Sequence, residues 1–355
     1  MEQWQIELQK AITTSEELDR VLKLSPIEIE GVVTATKHFR MKITNHILSL
    51  IDPDDPHDPI KQQYIPSIKE TYIEPAQYED VNRDDEYSPV KGVVHKYPTK
   101  ALLFPSNYCG SFCRFCFRRR FVGEQDTNLS DADIQNALTY IRSTHNLEEI
   151  ILSGGDPLTL SDDKLEWLIS EISGINHIKI IRVHTRMPIN CPSRITEELV
   201  LTLKKYQPIY FVVHINHPKE ISSPTRDAFR LLVDNGIPCL SQTALLHGVN
   251  DNEEILRELW TTLICNRVKP YYLFHSDPVI GLGHFSVPIP RGIEIMKNLY
   301  DRMSGLAYPL YCFNVPGGYG HILLGHNYIK RVGVGHYRVE TFDNQVVEIK
   351  YPEKE

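Results

Sequence analysis

The sequence predicts an α/β fold in which a parallel sheet is curled into a barrel or a partial barrel. From residue 100 onward, short β-branched and aromatic segments alternate with amphipathic segments at intervals of about thirty to fifty residues. The strand segments are almost continuously apolar, which is typical of a parallel sheet buried on both faces. Six or seven βα units favour a barrel over an open, doubly wound sheet. In either fold the chemistry lies at the carboxyl ends of the strands.

The individual elements follow from these patterns in chain order. Strands are predicted over residues 101–104, 149–152, 178–183, 209–215, 238–245, 270–274 and 309–313. Helices are predicted over residues 131–143, 162–172, 194–204, 224–235, 252–268 and 289–303. Each strand except the last is thus followed by a crossover helix, and we assign residues 96–330 to the barrel.

The two ends of the chain differ in character from the barrel. Residues 1–95 are predicted to form a helical arm or lid, with helices near residues 15–24 and 34–51. The acidic segment 52–59 contains a proline at every third position, which excludes a helix there. Residues 79–87 are expected to be too acidic to bury. The tail, residues 331–355, is predicted to form a β-hairpin with strands 337–340 and 346–349.

Composition and charge narrow the functional class. The 355 residues carry a net charge of −8, which opposes general binding to nucleic acid because phosphate contacts require a basic surface. No apolar segment reaches the roughly 18 residues of a membrane helix, and the amino terminus lacks a basic region followed by an apolar run. We therefore expect a cytoplasmic protein without a membrane partner.

Three cysteines follow the first predicted barrel strand in the spacing C-x3-C-x2-C: Cys109, Cys113 and Cys116. Three thiolates in one short loop suit an iron–sulfur cluster, and three ligands for a four-iron cube leave one iron open. A structural zinc site needs four ligands, and no fourth cysteine or histidine lies nearby at a suitable spacing. The alternatives are three buried cysteines or a zinc site completed from a distant segment.

This spacing resembles the radical S-adenosylmethionine superfamily, in which the open iron binds the amino and carboxylate groups of the methionine moiety. The resemblance implies a [4Fe-4S] cluster and S-adenosyl-L-methionine as cofactors. Phe115 occupies the position that often contacts adenine. The segment Ser153, Gly154, Gly155 and Asp156, at the end of the next strand, is similar to the glycine-rich segment that meets the amino group of the same cofactor.

A narrower similarity covers the chain from about residue 43 to the carboxyl terminus. Residues 50–56, 95–98, 113–121, 217–221, 242–251 and 270–272 resemble the lysine 2,3-aminomutase family. The resemblance implies a partial barrel of about six βα units and radical chemistry on an amino acid. In that family, pyridoxal phosphate holds the amine of the substrate.

The resemblance also implies roles for single residues. Arg118 matches the arginine that clamps the substrate carboxylate, and Asp277 matches one of two aspartates that meet the distal amine of lysine. Gln242 and His214 lie where the family contacts cofactor or substrate. The alternatives are a solvated basic face for Arg118 and a core position for His214.

Two family positions are changed in the same pocket. His321 stands where the family has its pyridoxal-binding lysine, and imidazole cannot form the Schiff base that a primary amine forms. Asn314 replaces the second aspartate of the lysine pocket. The basic pair that meets the pyridoxal phosphate group is present as Lys96 and Lys100. Lys330 is a second candidate for an anchoring amine.

Three functions remain compatible with the sequence. The first is an enzyme that uses a 5′-deoxyadenosyl radical to abstract hydrogen from an amino-acid-like, carboxylated substrate without lysine-anchored pyridoxal phosphate. The second is a true amino-acid 2,3-aminomutase with non-covalently bound pyridoxal phosphate, and the third is a catalytically degenerate binding protein. For the enzymes, the resemblance implies an electron donor such as flavodoxin or ferredoxin and allows a homo-oligomer.

Overall fold

Nine strands form one sheet whose spatial order repeats the order of the strands along the chain. The computed structural model describes residues 1–123, 129–341 and 343–352. The strands are β1 (Val93–Tyr97), β2 (Lys100–Ser106), β3 (Glu149–Gly154), β4 (Ile180–Thr185), β5 (Ile209–His214), β6 (Cys239–Leu245), β7 (Val268–His275), β8 (Leu310–Asn314) and β9 (His321–Leu323). Strands β2 to β8 are parallel, whereas β1 and β9 are antiparallel to their neighbours.

The parallel strands are joined by crossover helices, as their apolar sequences require. The helices that follow β2 to β7 are α6 (Asp131–Ser143), α7 (Asp162–Ser173), α9 (Glu197–Lys204), α10 (Ser223–Asp234), α11 (Glu253–Cys265) and α12 (Ile289–Leu299), with the short α8 (Met187–Asn190) preceding α9. Side chains such as Ser130, Ser222 and Asn252 accept hydrogen bonds from the first turns of their helices. The predicted partial barrel of six βα units is confirmed.

The sheet does not close through its backbone. Strands β1 and β9 form its two edges and pair only with β2 and β8. The two edges meet through side chains, because the Tyr97 hydroxyl lies 2.9 Å from His321 Nδ1 and accepts the backbone N–H of His321 at 3.2 Å. The backbone hydrogen-bond ladder of the barrel is therefore open between β1 and β9, and Tyr97 and His321 connect the two edge strands.

The amino-terminal segment is helical but is divided differently from the prediction. It contains α1 (Gln3–Gln9), α2 (Ser15–Leu22), α3 (Pro26–Thr36), α4 (Asn45–Leu48) and α5 (Pro59–Tyr64). The predicted helix over residues 34–51 is wrong, because Ile43 pairs with Ile12 in an antiparallel bridge and Thr44 then caps α4. Trp4, Leu18 and Tyr64 join the same apolar core as the barrel strands.

The acidic segment 79–87 is not wholly exposed, contrary to the expectation. The Val81 side chain is 1% exposed and that of Asp84 is 7% exposed. The Val81 carbonyl accepts a hydrogen bond from the Gly317 amide at 3.0 Å, which ties this segment to the loop after β8. Burial of a carboxylate requires a charged partner, and Asp84 has one in the cavity described below.

The tail contains the predicted hairpin and one further strand. Strands β10 (Ile329–Gly333), β11 (His336–Glu340) and β12 (Val346–Lys350) form a separate antiparallel sheet. None of the helices in the described ranges has the length and apolar character that crossing a membrane requires.

Candidate active site

A cavity lies between strands β1 to β9 and the loops that follow them. Its volume is about 1400 Å³, including the open mouth. Ten of the residues singled out in the sequence line it: Lys96, Lys100, Phe115, Arg118, Ser153, His214, Gln242, Asp277, Asn314 and His321. The fold therefore brings together positions that are more than 220 residues apart in the chain.

The cysteine loop follows β2 at the carboxyl edge of the sheet, as predicted. Burial raises the pKa of the Cys109, Cys113 and Cys116 thiols, to about 11 for Cys113, and the other two thiols raise the pKa of Cys109 further. Without a bound metal, the folded protein thus holds these groups as neutral thiols. Ligation requires the thiolates, so the surroundings must supply positive charge.

Buried arginines supply that charge. Arg186 Nη1 donates to the sulfur of Cys113 at 3.1 Å, while its Nη2 is held by Gln63 at 2.8 Å and by Glu220. The guanidinium lowers the pKa of Cys113, and that of Arg118 lowers the pKa of Cys116. Three mutually close thiols facing fixed guanidinium groups fit a cluster that is bound through thiolates.

The same thiols do not converge on a single ion. In the parts of the chain that are described, no three His, Cys, Asp or Glu side chains are arranged to hold one metal ion. Ligands of a four-iron cube bind separate corners and lie farther apart than the ligands of one ion.

The glycines after β3 allow that strand to meet the approach to the cysteine loop. Gly154 has a φ of +103°, and a Cβ there would lie 2.9 Å from the Ser106 carbonyl oxygen. A Cβ on Gly155 would lie 2.6 Å from the carbonyl carbon of Asn107. Only glycine fits at either position, because a side chain would push the strand end away from the chain that leads to Cys109.

Asp156 fastens this edge of the sheet. Its carboxylate accepts the Thr185 hydroxyl at 2.8 Å and the Arg186 amide at 2.7 Å, and its own amide donates to the Tyr108 carbonyl at 2.7 Å. Burial raises the pKa of Asp156 to about 6 despite these hydrogen bonds. Asp156 lies outside the cavity lining. Its hydrogen bonds connect the ends of β3 and β4 to the start of the cysteine loop.

His214 and Phe115 form an aromatic wall beside the cysteines. Their ring centroids are 5.1 Å apart, and the Arg186 guanidinium lies 4.8 Å from the centre of the Phe115 ring. Burial lowers the pKa of His214 to about 3, so its ring is neutral. His214 Nε2 lies 3.0 Å from the Asn216 side-chain oxygen, which assigns the proton to Nε2 and leaves Nδ1 as an acceptor.

Arg118 crosses the cavity and is already partly paired. Its Nε donates to Asp84 Oδ2 at 3.1 Å, and its guanidinium lies 4.6 Å and 4.4 Å from the centres of the Phe104 and Phe117 rings. In the described ranges, no hydrogen-bond partner faces its two Nη groups. Arg118 is therefore a largely buried guanidinium with its two Nη groups available, rather than part of a solvated basic face.

Asp277 and Asn314 lie together beside Arg118. Asn314 Nδ2 donates to Asp277 Oδ1 at 3.0 Å. Burial raises the pKa of Asp277 to about 6, although the Asn314 amide and Arg118 both lower it. A single carboxylate that is bonded to an amide is a weaker partner for an ammonium group than two aspartates would be.

Sequence reasoning did not single out several polar residues that line the same cavity, among them Asp84, Arg182, His184 and Tyr272. A signal for two of them was present, since Arg182 and His184 alternate on β4 and therefore face the same side of the sheet. Asp84 carried no local signal, because nothing in an acidic turn segment shows that an arginine 34 residues later will pair with it.

Comparison with known proteins places this geometry in a family. The model of the radical SAM superfamily matches residues 103–259. The L-lysine 2,3-aminomutase of Clostridium subterminale is 41% identical over 326 residues, which cover 92% of this chain and 78% of the relative. The chain belongs to the lysine 2,3-aminomutase family.

Other members and one solved structure complete the comparison. The glutamate 2,3-aminomutase of Clostridioides difficile is 37% identical over 350 residues, which cover 98% of this chain and 82% of the relative. The structure of SuiB from Streptococcus suis, bound to S-adenosylmethionine, has a TM-score of 0.43 and 15% identity over 58% of this chain and 46% of that chain. As a radical SAM enzyme related to the aminomutases, the protein uses a [4Fe-4S] cluster and S-adenosylmethionine.

The family resemblance assigns the pyridoxal-binding lysine to the position of His321. This residue opens β9 and is bonded to Tyr97 as described above, while burial and the charge of Lys100 lower its pKa. Lys330 is exposed on β10 and does not line the cavity. Within the described ranges, the lysines on the cavity wall are Lys96 and Lys100.

Proposed function

We propose that the protein abstracts a hydrogen atom from an amino-acid-like, carboxylated substrate without lysine-anchored pyridoxal phosphate. The observation that carries this proposal is His321, which lies on the cavity wall where the family resemblance places the anchoring lysine. Imidazole has no primary amine and forms no Schiff base. The cysteine loop, Phe115 and Arg118, to which the family resemblance assigns cofactor and substrate binding, also support the proposal.

Cys109, Cys113 and Cys116 are the residues that would hold the cluster, with Arg186 stabilising the thiolate of Cys113. Phe115, His214, Gln242 and Ser153 lie on the cavity wall and would hold S-adenosylmethionine, whereas Gly154, Gly155 and Asp156 lie outside the lining. When bound, cluster and cofactor together supply a 5′-deoxyadenosyl radical. The cluster needs a one-electron donor such as flavodoxin or ferredoxin.

Arg118 orients the substrate in this proposal. Its Nη groups offer two parallel donors, which match the two oxygens of a carboxylate. Asp84 and the two phenylalanine rings fix the guanidinium plane, so little side-chain freedom is lost when a carboxylate binds. Asp84 also keeps the arginine paired while the cavity holds no substrate, which lowers the cost of its burial.

The cavity argues against lysine as the substrate. Relatives are named for lysine and for glutamate, and a distal ammonium group requires buried carboxylates. Asp277 is a single carboxylate here, and one of its oxygens already accepts a hydrogen bond from Asn314. A neutral amide does not compensate a buried ammonium ion.

A second candidate is an amino-acid 2,3-aminomutase that holds pyridoxal phosphate without a covalent bond. The observation that favours it is the pair of lysines on the cavity wall, Lys96 and Lys100, which are suited to a phosphate group. A degenerate binding protein is disfavoured, because the cysteine loop, its arginines and the carboxylate clamp are all in place.

The decisive experiment is anaerobic reconstitution followed by reduction with dithionite in the presence of S-adenosylmethionine. The proposal requires formation of 5′-deoxyadenosine with no pyridoxal phosphate added. The matched control is Cys113→Ala, which should contain no cluster and should release no 5′-deoxyadenosine. A requirement for added pyridoxal phosphate during turnover of an amino acid would instead establish the second candidate.

A further inference from the structure

Four side chains on one part of the cavity wall present hydrogen-bond donors without a carboxylate among them. We call Lys100, His184, Tyr272 and His321 the donor cluster. They come from β2, β4, β7 and the start of β9. Lys100 Nζ lies 4.5 Å from the centre of the Tyr97 ring, and no acceptor within the described ranges is bonded to it.

The hydrogen bonds around the cluster leave its donors free. The Tyr272 hydroxyl accepts from Tyr271 at 2.9 Å, so its own proton remains available. The Tyr97 hydroxyl accepts the backbone N–H of His321 and directs its proton to His321 Nδ1, which leaves Nε2–H as the free donor of that ring. His184 Nε2 is buried and has no hydrogen-bond partner. Buried donors without acceptors are costly unless a ligand satisfies them.

Positive charge accumulates at the same place. Lys100 and Arg182 both lower the pKa values of His184 and His321, beyond the effect of burial. The nearest compensating carboxylate is Glu149, which lies 2.5 Å from Arg182 Nε. The carboxylates on the cavity wall, Asp84 and Asp277, are grouped with Arg118 instead. The cavity is therefore polarised, with charges of both signs at Arg118 and with cationic side chains and no wall carboxylate at the donor cluster.

We propose that the donor cluster binds a second anionic group of the substrate, a carboxylate or a phosphate, while Arg118 holds its α-carboxylate. The substrate is then an amino-acid-like molecule with an anionic group at each end. This inference rests on the proposed function and specifies its substrate class. An ammonium group would meet the like charges of Lys100 and Arg182 at the donor cluster, whereas each anionic oxygen would find charge-assisted donors.

The test measures equilibrium binding to the reconstituted enzyme by anaerobic calorimetry, with S-adenosylmethionine present and without reductant. The probes are L-norvaline, L-glutamate and O-phospho-L-serine, which share the α-amino acid end and differ in the distal group. We expect L-glutamate or O-phospho-L-serine to bind at least 10-fold more tightly than L-norvaline. The probe with the larger gain identifies the distal anion as carboxylate or phosphate.

Variants assign the gain to the donor cluster. Lys100→Met should remove the preference over L-norvaline and leave the affinity for L-norvaline within about twofold. Tyr272→Phe removes a single hydroxyl and should reduce the preference about 5-fold, which provides a second measurement if Lys100→Met does not fold. Lys330→Met, on the exposed strand β10, is the matched control and should behave as the wild type.

Two results would overturn the inference. One is equal affinity of the wild type for all three probes. The other is pyridoxal phosphate displacing them in competition, or becoming linked to Lys100 on borohydride reduction, because the donor cluster would then be a cofactor site. Failure of the proposed function is distinguishable from both, since it appears as an absence of 5′-deoxyadenosine formation whether or not the anionic probes bind.

Discussion

Replacing Arg118 with lysine separates substrate binding from cofactor chemistry. Lysine keeps the positive charge but offers one ammonium group in place of a planar pair of donors. We expect Arg118→Lys to weaken binding of L-norvaline and L-glutamate by similar factors, because both probes share the α-carboxylate. Cleavage of S-adenosylmethionine in the absence of substrate should stay within about twofold of the wild type.

The magnitude follows from the contacts of Arg118. Its Nε is used by Asp84 at 3.1 Å, so the carboxylate of the substrate is left with the two Nη groups. In the variant, one ammonium must serve both Asp84 and the substrate, which costs about one charge-assisted hydrogen bond, or roughly 1.5 to 3 kcal/mol. At about 1.4 kcal/mol per factor of ten, the affinity should fall by about 10- to 150-fold.

The assay combines calorimetry on the reconstituted enzyme with chromatographic measurement of 5′-deoxyadenosine. Lys219→Arg is a suitable control, because Lys219 pairs with Asp58 and does not line the cavity. If cofactor cleavage fell in parallel with probe binding, Arg118 would belong to the S-adenosylmethionine site and the reasoning would be refuted. Unchanged affinity for both probes would show that no carboxylate is held there.

Three further outcomes are expected. Cys113→Ala should abolish iron loading, whereas Cys265→Ala, at an exposed position, should retain it; iron analysis and visible absorbance after reconstitution decide between them. Borohydride reduction in the presence of pyridoxal phosphate should give no adduct in the turn that contains His321, which peptide mapping tests. The variant His321→Lys should not convert L-lysine, because Asn314 still offers no charge to the distal ammonium group; amino-acid chromatography tests this statement. Asp277 has a raised pKa of about 6 in the folded protein, so the folded state binds the proton more tightly than the unfolded state and stability falls as pH rises from about 4 to above 6. Between pH 5 and 7.5 this group should cost about 1.4 kcal/mol, and anaerobic urea unfolding should show that Asp277→Asn lacks this part of the pH dependence; an identical slope in both proteins would contradict the assignment.

The barrel could be predicted because its determinants are local. Apolar strands of five to eight residues and amphipathic helices with polar caps repeat in one order, and β2 to β8 formed within a few residues of the predicted ranges. The amino-terminal helices were harder, because the bridge between Ile12 and Ile43 is a tertiary contact that interrupts an otherwise helical pattern. The pattern of apolar residues in 34–51 does not indicate that Ile43 pairs with Ile12.

In the cavity, too, some residues could be predicted from the sequence, whereas their tertiary contacts could not. The family resemblance singled out Arg118, Asp277 and His321, and all three line the cavity. The partner of Arg118 could not be predicted, because Asp84 belongs to an acidic turn whose burial depends on that very pair. The free donor of Tyr272 depends on Tyr271 being bonded to it, and a sequence does not specify which hydroxyl donates.

The hydrogen bond between Tyr97 and His321 limits which residues position 321 can accept. The imidazole Nδ1 accepts the tyrosine proton, a task that an ammonium group cannot perform because it has only donors. Replacing His321 with lysine would therefore weaken the contact between the two edge strands by about 1 kcal/mol. An amine at this position thus requires a compensating change at Tyr97, independently of the reaction that the enzyme performs.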